Sequence, residues 1–158
     1  MLKPFITFAK RLKDVFSKTC EYAIRAMIFI AQKSADGSKI SIKEIAQGID
    51  SPEYFIGKIL QDLSRKGLVE STKGPNGGFF LVGESLNCSL ADIVKVVDGD
   101  KIFSGCGLGL KQCSESHPCP IHNEFKHIRM QMQLMLEKSK LDAFTDGLEK
   151  NITFLKRS

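Results

Sequence analysis

Between positions 16 and 32 the chain reads FSKTCEYAIRAMIFIAQ, with Ala23, Ile24, Met27, Ile28 and Ala31 recurring at helical spacing. That periodicity predicts a helix with one buried face. After the break at SADGSK, Ser41 and Glu44 have the spacing of a capping box, which predicts a short helix over IKEIAQG ended by Gly48. Ser51 and Pro52 then predict the cap and first position of a third helix, where a missing N–H costs nothing. Its apolar side is Ile56, Ile59, Leu60 and Leu63, and Gly67 is its stop. The period changes over residues 68–72 and 79–82, which have strand composition around a KGPNGG tip.

Further on, Ser89 and Asp92 frame a helix over SLADIVKVVDG with Leu90, Ile93, Val94 and Val97 inward. Residues 105–120 are too rich in Gly and Pro for regular structure. From Asn123 to about Lys140 a helical stripe returns through Phe125, Ile128, Met132, Met135 and Leu136. The order helix, helix, turn, helix, hairpin describes a winged helix-turn-helix, a mainly α fold with a small β-hairpin. The last stripe extends beyond a core that is already complete, which makes it a candidate dimerisation helix, the other reading being that it packs on its own domain. The expected organisation is a basic N-terminal extension (1–15), a winged helix-turn-helix domain (16–100), a cysteine-rich loop (101–122), and a dimerisation helix with its tail (123–158).

A chain of 158 residues holds one compact core with an appended helix. With 42% hydrophobic and 26% charged residues, composition indicates neither disorder nor a membrane protein. No apolar run approaches the roughly 20 residues a bilayer requires, and the opening MLKPFITFAKRLKDVF makes a poor signal peptide, so the cytoplasm is the expected location. The net charge of +5 is divided unevenly. Residues 1–75 carry 13 Lys/Arg against 8 Asp/Glu, whereas residues 76–158 carry 10 of each. A basic first half suits a nucleic-acid partner.

Three of the five cysteines lie in Cys106-x6-Cys113-x5-Cys119-x2-His122. Clustered thiols in a reducing compartment point to metal or redox chemistry rather than to a disulfide framework. Thiolates are soft anionic ligands, and the intervening glycines let the backbone bend around iron; a Cys3His set also suits tetrahedral zinc. Cys20 and Cys88 have the settings of buried small hydrophobes, and His117 and His127 those of solvent-facing residues. On the third helix, Ser51, Tyr54 and Lys58 lie away from the apolar stripe and can face DNA, Ser51 toward a phosphate and Lys58 toward a phosphate or base edge. No catalytic constellation, phosphate loop or small-molecule cofactor motif is present, so an enzyme is not expected.

The segments TCEYAIRAM, SIKEIA, ILQDLSRKGLVES and KGPNGGFFL followed by SLADIVKVVDG resemble the Rrf-two family of bacterial winged-helix transcription regulators, over residues 16 to about 140. The resemblance implies a homodimer on pseudo-palindromic operators, with an iron–sulfur cluster in members that carry three loop cysteines. That cluster is expected to be 2Fe–2S, with 4Fe–4S the other form. It implies His122 as fourth ligand, as in the iron–sulfur biogenesis regulators, or Glu21 supplied from the partner subunit, as in the nitric-oxide and redox sensors. It also implies a wing, Lys73, Gly74, Pro75, Asn76, Gly77 and Gly78, laid along the minor groove. This chain departs from the family pattern in three places. The first cysteine interval is x6 rather than x5, Lys73 replaces an arginine, and Gly57 stands where relatives carry a base-reading glutamate. The other readings are a zinc-stabilised or thiol-based repressor and, from a different class, a small iron–sulfur electron carrier.

Overall fold

The computed structural model describes residues 15–144 and 153–156, so the expected extension lies almost entirely outside the described residues. The elements are α1 (Lys18–Lys33), α2 (Ile42–Gly48), α3 (Glu53–Arg65), β1 (Glu70–Thr72), β2 (Gly78–Phe80), α4 (Leu90–Val97), α5 (Lys101–Ser104) and α6 (His122–Lys138). Short 3-10 turns at Gly83–Asn87 and Leu141–Phe144 complete the described chain.

α1 carries the most heavily buried surface. Ala23, Ala26, Met27 and Ile30 have no exposed surface, and the two alanines let neighbouring helices approach closely. Against this face pack Ile45 and Ile49 from α2 and its end, Ile56, Leu60 and Leu63 from α3, and Ile93 from α4. Each fully buried Leu or Ile contributes roughly 1.5–3 kcal/mol relative to exposure. Ser17 caps α1 by accepting from the Cys20 amide (3.1 Å), while its own amide donates to Asp98 at the end of α4 (2.9 Å). The start of α1 is thereby tied to the element preceding the cysteine loop.

Both expected capping boxes form, Ser41 with Glu44 and Ser89 with Asp92. The expected cap of α3 does not. Pro52 holds the cap position, Glu53 opens the helix, and the Ser51 hydroxyl is buried without a hydrogen-bond partner. The tight α2–α3 turn is the reason: Asp50 adopts φ 52° and the Ser51 amide donates to Ala46 O (3.0 Å), folding Ser51 back onto the end of α2.

β1 and β2 are shorter than their sequence signal and pair antiparallel, Glu70 opposite Phe80 and Thr72 opposite Gly78. Ile40 adds a bridge to Phe79, with reciprocal bonds of 2.9 Å. Beyond the wing, α4 packs on α1, and α6 returns across both, burying Leu136 with Cys20, Ala91 and Val94. Leu90 donates to Ser139 O (2.9 Å) and Leu141 to Cys88 O (3.0 Å), which fastens the end of α6 to the start of α4. The cysteine loop is thus an excursion between fixed elements.

Candidate metal centre and nucleic-acid interface

The loop ligands meet in two pairs. Cys106 Sγ lies 3.9 Å from Cys119 Sγ, and Cys113 Sγ lies 3.4 Å from His122 Nδ1. Metal–sulfur bonds of about 2.3 Å in tetrahedral array put two sulfurs about 3.8 Å apart, so the cysteine pair already has the separation of two ligands on one metal. Among the described residues no three His, Cys, Asp or Glu side chains form a ready cage, so closing the two pairs on one centre requires the loop to tighten. The Gly-flanked backbone permits this: Gly109 already adopts φ 74°.

His122 is the first residue of α6 and is buried, rather than the last residue of an open loop. Its Nε2 is 3.4 Å from Glu115 Oε2 but has no hydrogen bond, so the ring has one nitrogen facing a thiol and the other enclosed and unsatisfied. The thiol-facing nitrogen, Nδ1, is the one turned to a prospective metal ligand, and a buried ring whose other nitrogen is left unsatisfied beside a carboxylate suits a side chain held in place for ligation. Lys126 also pairs with Glu115, and this contact, ahead of the weaker pull of His122, holds the Glu115 carboxyl below its ordinary range. The Cys106 thiol is likewise held below its ordinary value, first by the backbone at Leu108 and Leu110, with a smaller contribution from Cys119.

The other cysteines contrast sharply. Burial pushes the Cys20 thiol up to about 12, with the Asp98 charge adding to it, and burial with Asp92 does the same for Cys88. Neither is exposed. Glu21, the alternative fourth ligand, lies in the first turn of α1 and pairs with Lys18 (2.7 Å). His117 and His127 are exposed.

On α3, Tyr54 is 79% exposed and Lys58 is exposed, both opposite the buried Ile56, Ile59 and Leu63. Gly57 is buried where α3 passes Ile42, and a Cβ there would meet Ile42 Cδ1 at 3.5 Å, an ordinary contact. Phe55, which periodicity alone did not single out, is 54% exposed and edge-on to Tyr54 at 5.9 Å. The wing residues Lys73, Gly74, Pro75 and Asn76 are exposed. Gly77 and Gly78 are required by close approach: a Cβ on Gly77 would stand 2.2 Å from Thr72 O, and one on Gly78 2.7 Å from Ile40 O. A helix with a free polar side and a glycine-built wing tip lie in one chain, as a groove-reading unit requires.

The Rrf2 family, described as "Iron-dependent Transcriptional regulator", matches residues 16–147. The chain belongs to this family. An Aquifex aeolicus protein named as an HTH-type transcriptional regulator is 31% identical over 140 residues, covering 87% of this chain and 96% of that one. The protein aau3 of Rhizobium meliloti is 40% identical over 91 residues, 57% of each chain. Among solved structures, the global cysteine regulator CymR of B. subtilis superposes with TM-score 0.69 at 24% identity, covering 92% of this chain and 97% of that one. T. potens IscR does so with TM-score 0.65 at 22% identity, covering 92% and 95%. These likenesses show the shared winged-helix fold. This Rrf2 chain is therefore a transcriptional regulator and not an enzyme, and its family implies DNA binding. No helix among the described residues is long and apolar enough to cross a membrane.

Proposed function

We propose that this Rrf2 protein is a cytoplasmic, homodimeric regulator whose operator affinity is set by an iron–sulfur cluster, 2Fe–2S in type, held by Cys106, Cys113, Cys119 and His122. The observation that carries the reading is the buried His122 ring against Cys113, with Cys106 and Cys119 paired in the same loop. Glu21 is the weaker choice of fourth ligand, because its carboxylate already pairs with Lys18 within α1 and would have to leave that partner to ligate a partner subunit's cluster. A bound cluster would supply a centre sensitive to oxidants, nitric oxide and iron supply, and imidazole ligation would raise its potential relative to an all-cysteine site.

The protein's part is mechanical. Ordering residues 105–121 joins α5 to the first turn of α6, and α6 carries exposed Ile128 and Met135 on one flank and exposed Met130 and Leu134 on another. These apolar flanks supply the dimer surface in this reading, so the state of the loop sets the spacing of two α3 helices. Tyr54, Lys58 and the wing from Lys73 to Gly78 contact the operator, and Ser51 serves through its backbone in the α2–α3 turn rather than through its hydroxyl. Zinc is the second reading, favoured by the same tetrahedral sulfur separation. Anaerobic purification decides between them. The cluster reading predicts a brown protein with visible absorption lost in Cys113→Ala, whereas a colourless protein retaining stoichiometric zinc would overturn it.

A further inference from the structure

Arg129 is a half-buried cation of α6 that no part of the ligand set or the DNA face uses. It lies seven residues after His122, so both project from one face of the helix, with Phe125 and Lys126 between them. That face is turned to the loop. Arg129 Nη1 donates to Gly105 O at 2.5 Å and lies 3.6 Å from Cys113 Sγ, while the guanidinium sits 5.9 Å from the Phe125 ring centre. The Phe125 ring in turn occupies the space a Cβ on Gly107 would take, at 2.8 Å. One side chain therefore reaches the residue that opens the loop and the central cysteine. The groups facing it are Gly105, Cys113 and Phe125, and the nearby carboxylate, Glu115, is engaged by Lys126 and approached by His122.

We propose that Arg129 is the positioning residue of the metal site, clamping Gly105 and Cys113 onto α6 and placing a permanent positive charge against a ligating sulfur. The proposal rests on the cluster reading above for its electrostatic half and on the apo geometry alone for its clamping half. Arginine suits both tasks, because its charge does not titrate away and its Nη1 carries two N–H groups, one for each acceptor. A donor aimed at a ligating sulfur stabilises the more negative, reduced state of a cluster and so raises its potential.

The test uses full-length Arg129→Met and Arg129→Lys, each checked for native circular dichroism and dimer mass. In cluster-loaded protein, spectroelectrochemistry should show the Met variant reduced at more negative potential, with the reduced-to-oxidised ratio at fixed potential lowered about tenfold, or about 59 mV for a one-electron couple. Lysine should restore part of the shift. In metal-free protein, amide hydrogen exchange of residues 105–113 should quicken in the Met variant while α1–α4 stay protected. An unchanged potential overturns the electrostatic half, and unchanged exchange overturns the clamp. A colourless wild type overturns the cluster reading together with the potential shift, and the clamp then stands or falls on exchange alone.

Discussion

Five thiols in one chain divide by environment. Cys20 and Cys88 are sealed by burial and by neighbouring carboxylates, with thiols near 12 against an ordinary value of 9.0. In metal-free native protein at pH 8, a bulky maleimide should label the three loop cysteines and leave these two until denaturant is added; mass spectrometry of the labelled peptides checks this. The same shift gives a pH dependence. An unfolded chain releases these protons near pH 9 while the folded chain keeps them to about 12, so the unfolded state binds fewer protons and stability falls as pH rises across that interval. Denaturant midpoints at pH 7, 9 and 10.5 should be slightly lower at the second than at the first and clearly lower at the third. At Gly57 the interior glycine costs α3 about 0.5–1 kcal/mol relative to alanine, and a Cβ there would make only an ordinary contact with Ile42. Gly57→Ala should stabilise the fold by that amount in urea denaturation.

The elements were largely legible because their signals are local. Ser41–Glu44 and Ser89–Asp92 specify helix starts through side chains three residues apart, and both boxes form as the sequence spells them. Ser51 misled for a physical reason: a serine before proline reads as a cap, but the left-handed Asp50 turns it inward, and that turn is dictated by how α2 meets α3. The apolar stripe of α6 was visible but not its division. Leu136 faces the core, Phe125 and Met132 are half-buried on the same side, and Ile128 and Met135 stay exposed, a partition that depends on where α1 and α4 lie. For the proposed site the same rule holds: Cys106, Cys113, Cys119 and His122 stand close together in the sequence and meet in two pairs, whereas Arg129, two helical turns after His122, had no signal until the loop folded over it. At this scale Leu136→Ala, which empties a site 1% exposed, should cost about 2–5 kcal/mol in chemical denaturation. Gly77→Ala should distort the wing, where its Cβ would meet Thr72 O, and weaken operator binding while thermal unfolding of the helical core stays cooperative.

For the whole molecule, a basic first half carries α3 and the first strand and Lys73 of the wing, and a neutral second half carries the rest of the wing, the loop and the α6 surface. Binding through that basic half releases counterions, so log affinity should fall linearly with log salt, and Lys58→Ala or Lys73→Ala should each flatten the slope by about one. α5 and the loop connect the DNA-reading unit to α6, and α6 is itself anchored on α1 and α4, so loop order and α3 placement share one scaffold. A coupling of ~1–3 kcal/mol between cluster and operator would give a 5–150-fold switch. The direct measurement is operator affinity, at one fixed salt concentration under anaerobic conditions, of the cluster-loaded protein against the Cys106→Ala, Cys113→Ala, Cys119→Ala triple variant. A difference of about 5–150-fold between two folded dimers is the predicted result; equal affinities would contradict the loop's role as the switch.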